Sequence, residues 1–374
     1  MTTLMQASRQ WASRPADERF LSLTDLRDAV AGQRERSVAS VTTTRRIEVQ
    51  PHPADPKWGL TIDNDGTIVD PTHWSFGQLA SLAGFSAREL RKLPAPIAAD
   101  ALNYCLRFNR DAEEVGLLRT ENEPVAMGGE LMAHHELRAA TGPRYGRVWN
   151  EEIVTALTDK FGDGRTGDFR VPGEFGQAVP ITKSNTTIYG SDRDIFVFLA
   201  DEVNRVEMPN RRNGRSGSLA RGFFVWNSEV GSQSIGAAFF LFDYACSNRI
   251  VWGAEGFKEI RLRHTASAPD RWLEEISPVL MEYSAASAAP IEQTIREAQQ
   301  KRVDDDLDAF LLKRFTRPEA TAIKAAHERE ESRPIETVWD AVTGVTAHAK
   351  SIEHQDARVT LERKGGKLLD LVSA

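Results

Sequence analysis

The longest apolar pattern of the chain predicts three consecutive strands. Residues 223–230 show no helical spacing of their apolar side chains and end at a turn marked by Gly231. Residues 235–246 are apolar on both faces, and their glycine and aromatic residues favour a buried central strand over a helix. Residues 257–264 alternate between apolar and charged side chains. We therefore predict an antiparallel sheet at the centre of the protein.

Helical periodicity dominates on both sides of this predicted sheet. Residues 75–106 have apolar side chains at helical spacing with a break at two prolines, which predicts a small helical subdomain. After residue 264, amphipathic helical patterns separated by proline, glycine or aspartate continue to the end of the chain. The predicted fold class is α+β, with a central antiparallel sheet, an N-terminal helical subdomain and a C-terminal series of amphipathic helices.

Composition divides the chain into three predicted parts. Residues 1–57 are polar and contain many arginines, and we expect a poorly packed arm except for a short helix at 21–31 that begins at Ser22 or Thr24. Residues 58–266 form the predicted α+β core, with hairpin turns at 64–66 and 191–194. Residues 267–374 form the predicted C-terminal helical region.

The overall composition limits the classes of protein to which this chain can belong. The 374 residues are 41% hydrophobic and 27% charged, which is typical of a globular protein with a full-sized core. A net charge of −7 argues against nucleic-acid binding over the whole surface, although it permits a local basic face. We expect a cytoplasmic protein without a membrane partner, because no signal sequence and no membrane-length apolar run occurs. Cys105 and Cys246 lie in apolar surroundings, which favours buried free thiols.

Segment 204–221 is strongly basic. It contains one acidic residue, Glu207, and five arginines: Arg205, Arg211, Arg212, Arg215 and Arg221. Its glycines, serines and asparagines predict an exposed, mobile loop just before the central strands. Arginine binds phosphate through paired N–H donors, so such a loop suits contact with a nucleic-acid backbone. The alternative is an insertion that its charges keep soluble.

A second basic segment precedes a predicted helix that Asn150 can cap. It contains Arg144, Tyr145, Arg147 and Trp149. A nucleotide base can stack on either aromatic ring while the arginines hold phosphate. The alternative is that the rings belong to the core and the arginines line its rim.

Established catalytic motifs are missing from the sequence. There is no phosphate-binding loop, no nucleophile elbow, no HExxH motif and no paired CxxC motif. One polar group lies on the predicted central strands: Asn227, Ser228, Glu229, Cys246, Arg263 and His264. In a catalytic interpretation, His264 is the base for Cys246 or Ser228. A polar turn and a core cysteine explain the same residues without chemistry. We therefore favour a binding protein over an enzyme and assign no catalytic residue, metal or cofactor.

The central segment also resembles a known family. The resemblance includes the pattern Phe-Val-x-Asn-Ser-Glu-Val-Gly at 224–231, Cys-Ser-Asn at 246–248, Val-Trp-Gly at 251–253 and Arg-His-Thr at 263–265. Residues 137–154 and 337–369 fit as well, so the similarity spans roughly residues 60–370. These features resemble the phage/plasmid-like protein family catalogued as domain of unknown function 932. The resemblance implies a place on phages, plasmids or integrated elements of bacteria, but the family has no activity that can be carried over to this chain.

Two functional hypotheses follow from these observations. In the first, the protein belongs to a mobile element and binds single-stranded nucleic acid in recombination, replication or DNA protection. In the alternative, it is a non-catalytic interaction or assembly module that forms a homo-oligomer through its C-terminal helices.

Overall fold

A computed structural model describes residues 15–64, 66–108, 113–127, 130–171, 181–184, 186–211, 215–243, 248–250, 259–303, 306–352 and 355–372. This part of the chain forms two β-sheets with helices packed against them. The class is α+β, with an antiparallel central sheet and helices at both ends, as the sequence predicts.

The predicted N-terminal arm is folded and packed from residue 15 onward, which corrects the prediction. Its elements are a 3-10 turn (Ala16–Glu18), β1 (Arg19–Phe20), α1 (Leu23–Glu35), β2 (Ser37–Thr43), a second 3-10 turn (Thr44–Arg46) and β3 (Ile47–His52). Ser22 caps α1, accepting a hydrogen bond from the Asp25 backbone N–H at 3.0 Å. Leu23, Leu26 and Val30 enter the core, so a few well-spaced apolar residues anchor an otherwise polar helix.

The N-terminal sheet combines β2 and β3 with four further strands. These are β4 (Asp55–Asn64), β5 (Thr67–Pro71), β6 (Glu114–Met127) and β7 (Glu130–Thr141), in the order β2-β6-β7-β5-β4-β3. Strands β5 and β7 pair in parallel, and the other neighbours pair antiparallel. Gly66 has a φ of +83° in the turn between β4 and β5, as the predicted hairpin requires. The helices α2 (His73–Leu82), α3 (Ala87–Leu90) and α4 (Ala95–Phe108) share a core with this sheet.

The central sheet contains the three strands that the apolar pattern predicts. Its strands besides β1 are β8 (Phe169–Arg170), β9 (Ile188–Gly190), β10 (Ile195–Asp201), β11 (Val206–Arg211), β12 (Arg215–Asn227), β13 (Ile235–Asp243), β14 (Asn248–Ile250) and β15 (Ile260–Leu262). The main path is β1-β9-β10-β12-β13-β14, while β8, β11 and β15 pair with β10, β12 and β13. All of these pairs are antiparallel.

The basic segment 204–221 forms most of a β-hairpin rather than a loop. Strands β11 and β12 pair antiparallel, with Val206 opposite Leu219. The side chains of Val206, Met208 and Leu219 are buried in a core with the C-terminal helices. Because apolar residues at every second position are enough to anchor a strand, the polar composition of this segment concealed its structure. Arg212 lies outside the described residues.

The remaining helices cover the central sheet. α5 (Asn150–Phe161), α6 (Ala268–Arg271), a π-helical turn (Trp272–Ile276) and α7 (Ser277–Ala285) share a core with α1. A second core contains α8 (Ala289–Gln300), α9 (Leu307–Leu312), α10 (Arg317–Glu331), α11 (Val338–Lys350) and α12 (Gln355–Gly366), followed by a 3-10 turn (Leu369–Leu371). These C-terminal helices therefore direct their apolar faces into their own chain.

Close packing of β10, β12 and β13 requires glycine at Gly222. A Cβ atom there would lie 2.5 Å from the backbone oxygen of Leu199 and 2.4 Å from the ring carbon Cζ of Phe240. Both distances are far below van der Waals contact, so the strand and the ring would have to move.

We expect Gly222→Ala to lower the free energy of unfolding by about 1–3 kcal/mol, because overpacking shifts the core. Gly77→Ala is the control, since its Cβ would meet no atom within 4 Å and the residue lies inside α2. That change should be neutral or stabilising by up to about 1 kcal/mol. Urea denaturation measures both. Equal stabilities of Gly222→Ala and the unaltered protein would contradict this packing.

Candidate functional site

Asn227 at the end of β12 and Ser228 and Glu229 in the following turn lie between the two sheets, and all three are buried. The Glu229 carboxylate accepts a hydrogen bond at 2.9 Å from Nη2 of Arg138, which lies on β7 of the N-terminal sheet. Its second oxygen accepts the backbone N–H of Asn150 at 2.8 Å. Arg138 and Glu229 are each at most 2% exposed in their side chains. A buried ion pair therefore connects the N-terminal sheet, the central sheet and α5.

Glu229 also replaces the predicted helix cap. Helix α5 begins at Asn150, and the preceding residue, Trp149, makes no side-chain cap. The side-chain oxygen of Asn150 instead accepts a hydrogen bond from Nδ2 of Asn227 at 2.8 Å. A carboxylate at the first turn of a helix interacts favourably with the helix dipole and with its unpaired N–H groups. The cap thus comes from a distant turn, which local sequence does not reveal.

Ser228 makes hydrogen bonds through both its hydroxyl and its backbone oxygen. Its hydroxyl donates a hydrogen bond to the backbone oxygen of Arg193 at 2.7 Å, and its own backbone oxygen accepts the Tyr145 hydroxyl at 2.7 Å. A nucleophilic serine requires a base as acceptor of its proton, whereas this hydroxyl donates to a carbonyl. The geometry therefore fits a folded polar turn.

The aromatic residues upstream of α5 are covered by arginines. The Arg147 guanidinium lies 5.5 Å from the ring centre of Tyr145 and 5.7 Å from that of Trp149, and it donates to the backbone oxygen of Glu229. Arg34 lies 5.1 Å from the Trp149 ring centre. Burial lowers the pKa of Arg147 and raises that of Tyr145. Arg144 is exposed, whereas Tyr145, Arg147 and Trp149 are half-buried.

His264 packs beside the same turn. Its ring stacks on Tyr145 with 4.8 Å between ring centres, and Nδ1 lies 2.9 Å from the backbone oxygen of Gly146. Because a carbonyl accepts, Nδ1 carries the proton. Nε2 is buried and has no hydrogen-bond partner among the described residues. Burial is the main cause that lowers the pKa of His264, and the nearby Arg147 contributes. Cys246, its proposed catalytic partner, lies outside the described residues.

Two described arginines of segment 204–221, Arg205 and Arg221, pair with acidic residues. Arg205 pairs with Glu202. Arg221 is buried, pairs with Asp201 at 3.1 Å and donates to the backbone oxygen of Ala286. Arg212 and the side chains of Arg211 and Arg215 lie outside the described residues, and Arg263 is exposed. The predicted interface is therefore corrected at Arg221, whose guanidinium group is buried against Asp201, whereas the predicted role of the half-buried Arg205 stays a prediction.

A pocket that the sequence did not predict lies on the aromatic face of the central sheet. Its volume is about 360 Å³. The lining residues are Phe196, Phe224, Trp226, Ser232, Gln233, Ser234, Arg261, Val359, Thr360 and Arg363. The guanidinium groups of Arg261 and Arg363 lie 5.6 Å and 5.5 Å from the ring centre of Trp226. These distances allow cation–π interactions. Alternation along β12 places Phe224 and Trp226 on one face, but nothing local predicts that α12 supplies Arg363.

The described part of the chain contains no candidate metal site and no membrane-spanning helix. Among its residues, no group of three or more histidine, cysteine, aspartate or glutamate side chains is arranged to hold a metal ion. None of its helices has the length and apolar character needed to span a membrane.

Residues 179–368 match a family model described as Domain of unknown function (DUF932). The matched span is about half of the chain and contains every residue that lines the pocket. It begins later than the resemblance, which started near residue 60. No curated protein and no solved structure matches the chain.

Removing one partner of the Arg138–Glu229 pair should strongly destabilise the protein, because it leaves a buried charge without compensation. We expect Arg138→Met or Glu229→Gln alone to cost about 3–5 kcal/mol. The double change should cost clearly less than the sum. Arg302→Met is the control, since Arg302 pairs with Glu336 in an exposed ion pair, for which the expected loss is under about 1 kcal/mol. Urea denaturation measures each variant; additive single losses would contradict the coupling.

His264 should make the protein less stable in mild acid. Its folded-state pKa lies below the ordinary value of 6.5, so the unfolded chain binds the proton first as the pH falls. Stability contributed by neutral His264 is complete above pH 6.5 and declines as the pH falls towards the folded-state pKa. His264→Asn preserves a donor near Gly146 and should reduce this decline. Thermal melting of both proteins from pH 8 to 5 tests the difference, and parallel curves would exclude His264 as its source.

Proposed function

The chain belongs to the family described as Domain of unknown function (DUF932), and we propose that it binds single-stranded nucleic acid in the pocket formed by β12, β15 and α12. The observation that carries the proposal is the combination of an aromatic floor with two guanidinium groups in one cavity. Phe196, Phe224 and Trp226 form that floor, while Arg261 and Arg363 lie over it.

The pocket has the size and chemistry that a nucleotide requires. Ligand-binding pockets occupy about 300–1,000 Å³, and this one has about 360 Å³. Nucleobases stack on aromatic rings and on the flat faces of arginine guanidinium groups. Because the arginines already cover Trp226, we expect the base to stack against a guanidinium group or to displace it. Either arrangement keeps a positive charge beside the base.

Polar groups complete the pocket on the side of the β12–β13 turn. Ser232, Gln233 and Ser234 provide hydroxyl and amide groups that donate and accept hydrogen bonds. Such groups suit the edge of a base, while a guanidinium group suits its phosphate. The Arg261 side chain is 55% exposed, so it can reach a phosphate outside the cavity.

A single strand fits this geometry better than a duplex. Bases within a duplex are stacked on both faces and paired along their edges, so a pocket that encloses a base needs an unpaired one. A protein of a phage or plasmid would meet such strands in the cytoplasm during recombination, replication or protection of DNA. The resemblance to phage/plasmid-like proteins supports this setting.

The assembly hypothesis has less support. It depends on free apolar faces on the C-terminal helices, whereas residues of α8, α9, α10 and α11 are buried in a common core with β11 and β14. In the described part of the C-terminal helical region, the exposed large apolar side chains are Leu273, Met281 and Leu312. Three such side chains offer little area for a homo-oligomer.

Loss of the pocket arginines should weaken binding to single strands. We expect Arg261→Ala and Arg363→Gln each to reduce affinity for a fluorescent oligonucleotide several-fold, because each loses a phosphate or stacking contact. The slope of log K against log salt should become less steep by about 0.7 for each lost phosphate contact. Fluorescence anisotropy at several salt concentrations measures both quantities, and a duplex of the same sequence should bind more weakly.

Two variants are matched controls. Arg263→Ala removes an exposed arginine two residues from Arg261 that does not line the pocket. Arg144→Ala removes the exposed arginine of the segment before α5. Both should bind nearly as well as the unaltered protein. No binding of single strands at low salt, or equal losses from all four changes, would refute the proposed site.

A further inference from the structure

One carboxylate joins the two guanidinium groups of the pocket. Oε1 of Glu259 lies 2.9 Å from Nη2 and 3.2 Å from Nε of Arg261. Oε2 lies 2.7 Å from Nε of Arg363. Glu259 lies just before β15, and each of its carboxylate oxygens contacts a different arginine. Arg261 lies in β15, and Arg363 lies in α12.

The Glu259 carboxylate contacts the two arginines in the way that a bound phosphate would. Arginine groups that converge on one anion are a common way to hold phosphate, and two arginines with no anion between them would repel each other. Both groups lie within 6 Å of the Trp226 ring centre. The Glu259 carboxylate thus lies beside the aromatic pocket at the place where the phosphate of a stacked nucleotide would bind.

A ligand anion can compete with Glu259 for its two arginine partners. The side chains of Glu259, Arg261 and Arg363 are 31%, 55% and 23% exposed, so water reaches all three. Exposed ion pairs are weak, and their partners separate readily. Glu259 can therefore leave Arg261 without creating a buried charge, in contrast to Glu229, whereas the buried Nε atom of Arg363 requires the incoming phosphate in its place.

We propose that Glu259 is an internal substitute for phosphate, which a nucleotide phosphate displaces when a strand enters the pocket. This inference rests on the proposed function and specifies the ligand class. A phosphate restores the arginine contacts that Glu259 gives up, whereas an uncharged nucleoside does not. The pocket therefore selects phosphate-bearing nucleotides and discriminates against free bases and nucleosides.

The test replaces Glu259 with glutamine, which preserves shape and removes the competing charge. We expect Glu259→Gln to bind a single-stranded oligonucleotide and a nucleoside 5′-monophosphate roughly two- to fivefold more tightly at low salt, in line with the strength of exposed ion pairs. Binding of the unphosphorylated nucleoside should not change. Glu207→Gln on β11 is the control, since it alters net charge equally at an exposed position outside the pocket.

The outcomes separate the two proposals. If the unaltered protein binds single strands in an Arg261-dependent way but Glu259→Gln binds no more tightly, the exchange is refuted and the binding site stands. Equal gains from Glu259→Gln and Glu207→Gln would attribute the effect to net charge and also refute the exchange. If neither the unaltered protein nor Glu259→Gln binds nucleotides or strands, both proposals fail.

Discussion

The buried carboxylate of Glu229 is the constraint on which the rest of the structure depends. A charged group without water is costly unless every oxygen has a partner, and here one partner comes from β7 and the other from the first N–H of α5. The adjacent Val230 backbone oxygen accepts from Trp74 and Gln78 of α2. The β12–β13 turn therefore holds the N-terminal sheet, the central sheet and two helices in one arrangement.

This constraint explains why residues with the appearance of a catalytic group serve the fold. Asn227, Ser228 and Glu229 direct their polar atoms inward to backbone groups, to Arg138 and to Asn150. The following residues, 232–234, lie on the other side of the same turn and line the pocket. One turn thus fixes the two sheets on its inner side and supplies polar groups to a ligand on its outer side.

Two acidic residues show how burial decides the role of an ion pair. Glu229 and Arg138 are shielded from water, so separating them is expensive and their pairing supports the fold. Glu259 holds its arginines within reach of solvent, where an incoming anion can compete for them. The same chemical pairing is therefore structural in one place and exchangeable in the other.

The sequence by itself determined the three central strands, the hairpins at residues 64–66 and 191–194, the C-terminal helices and the family. The apolar period and the turn residues depend on near neighbours, which the sequence displays directly. The sequence did not reveal β11, because its few apolar residues become buried only by packing against the C-terminal helices. Tertiary structure alone decided that Arg221 meets Asp201, that Glu229 caps α5, and that Trp226, Arg261 and Arg363 share a pocket. Such contacts join residues that are distant along the chain, and no local pattern encodes which of them meet.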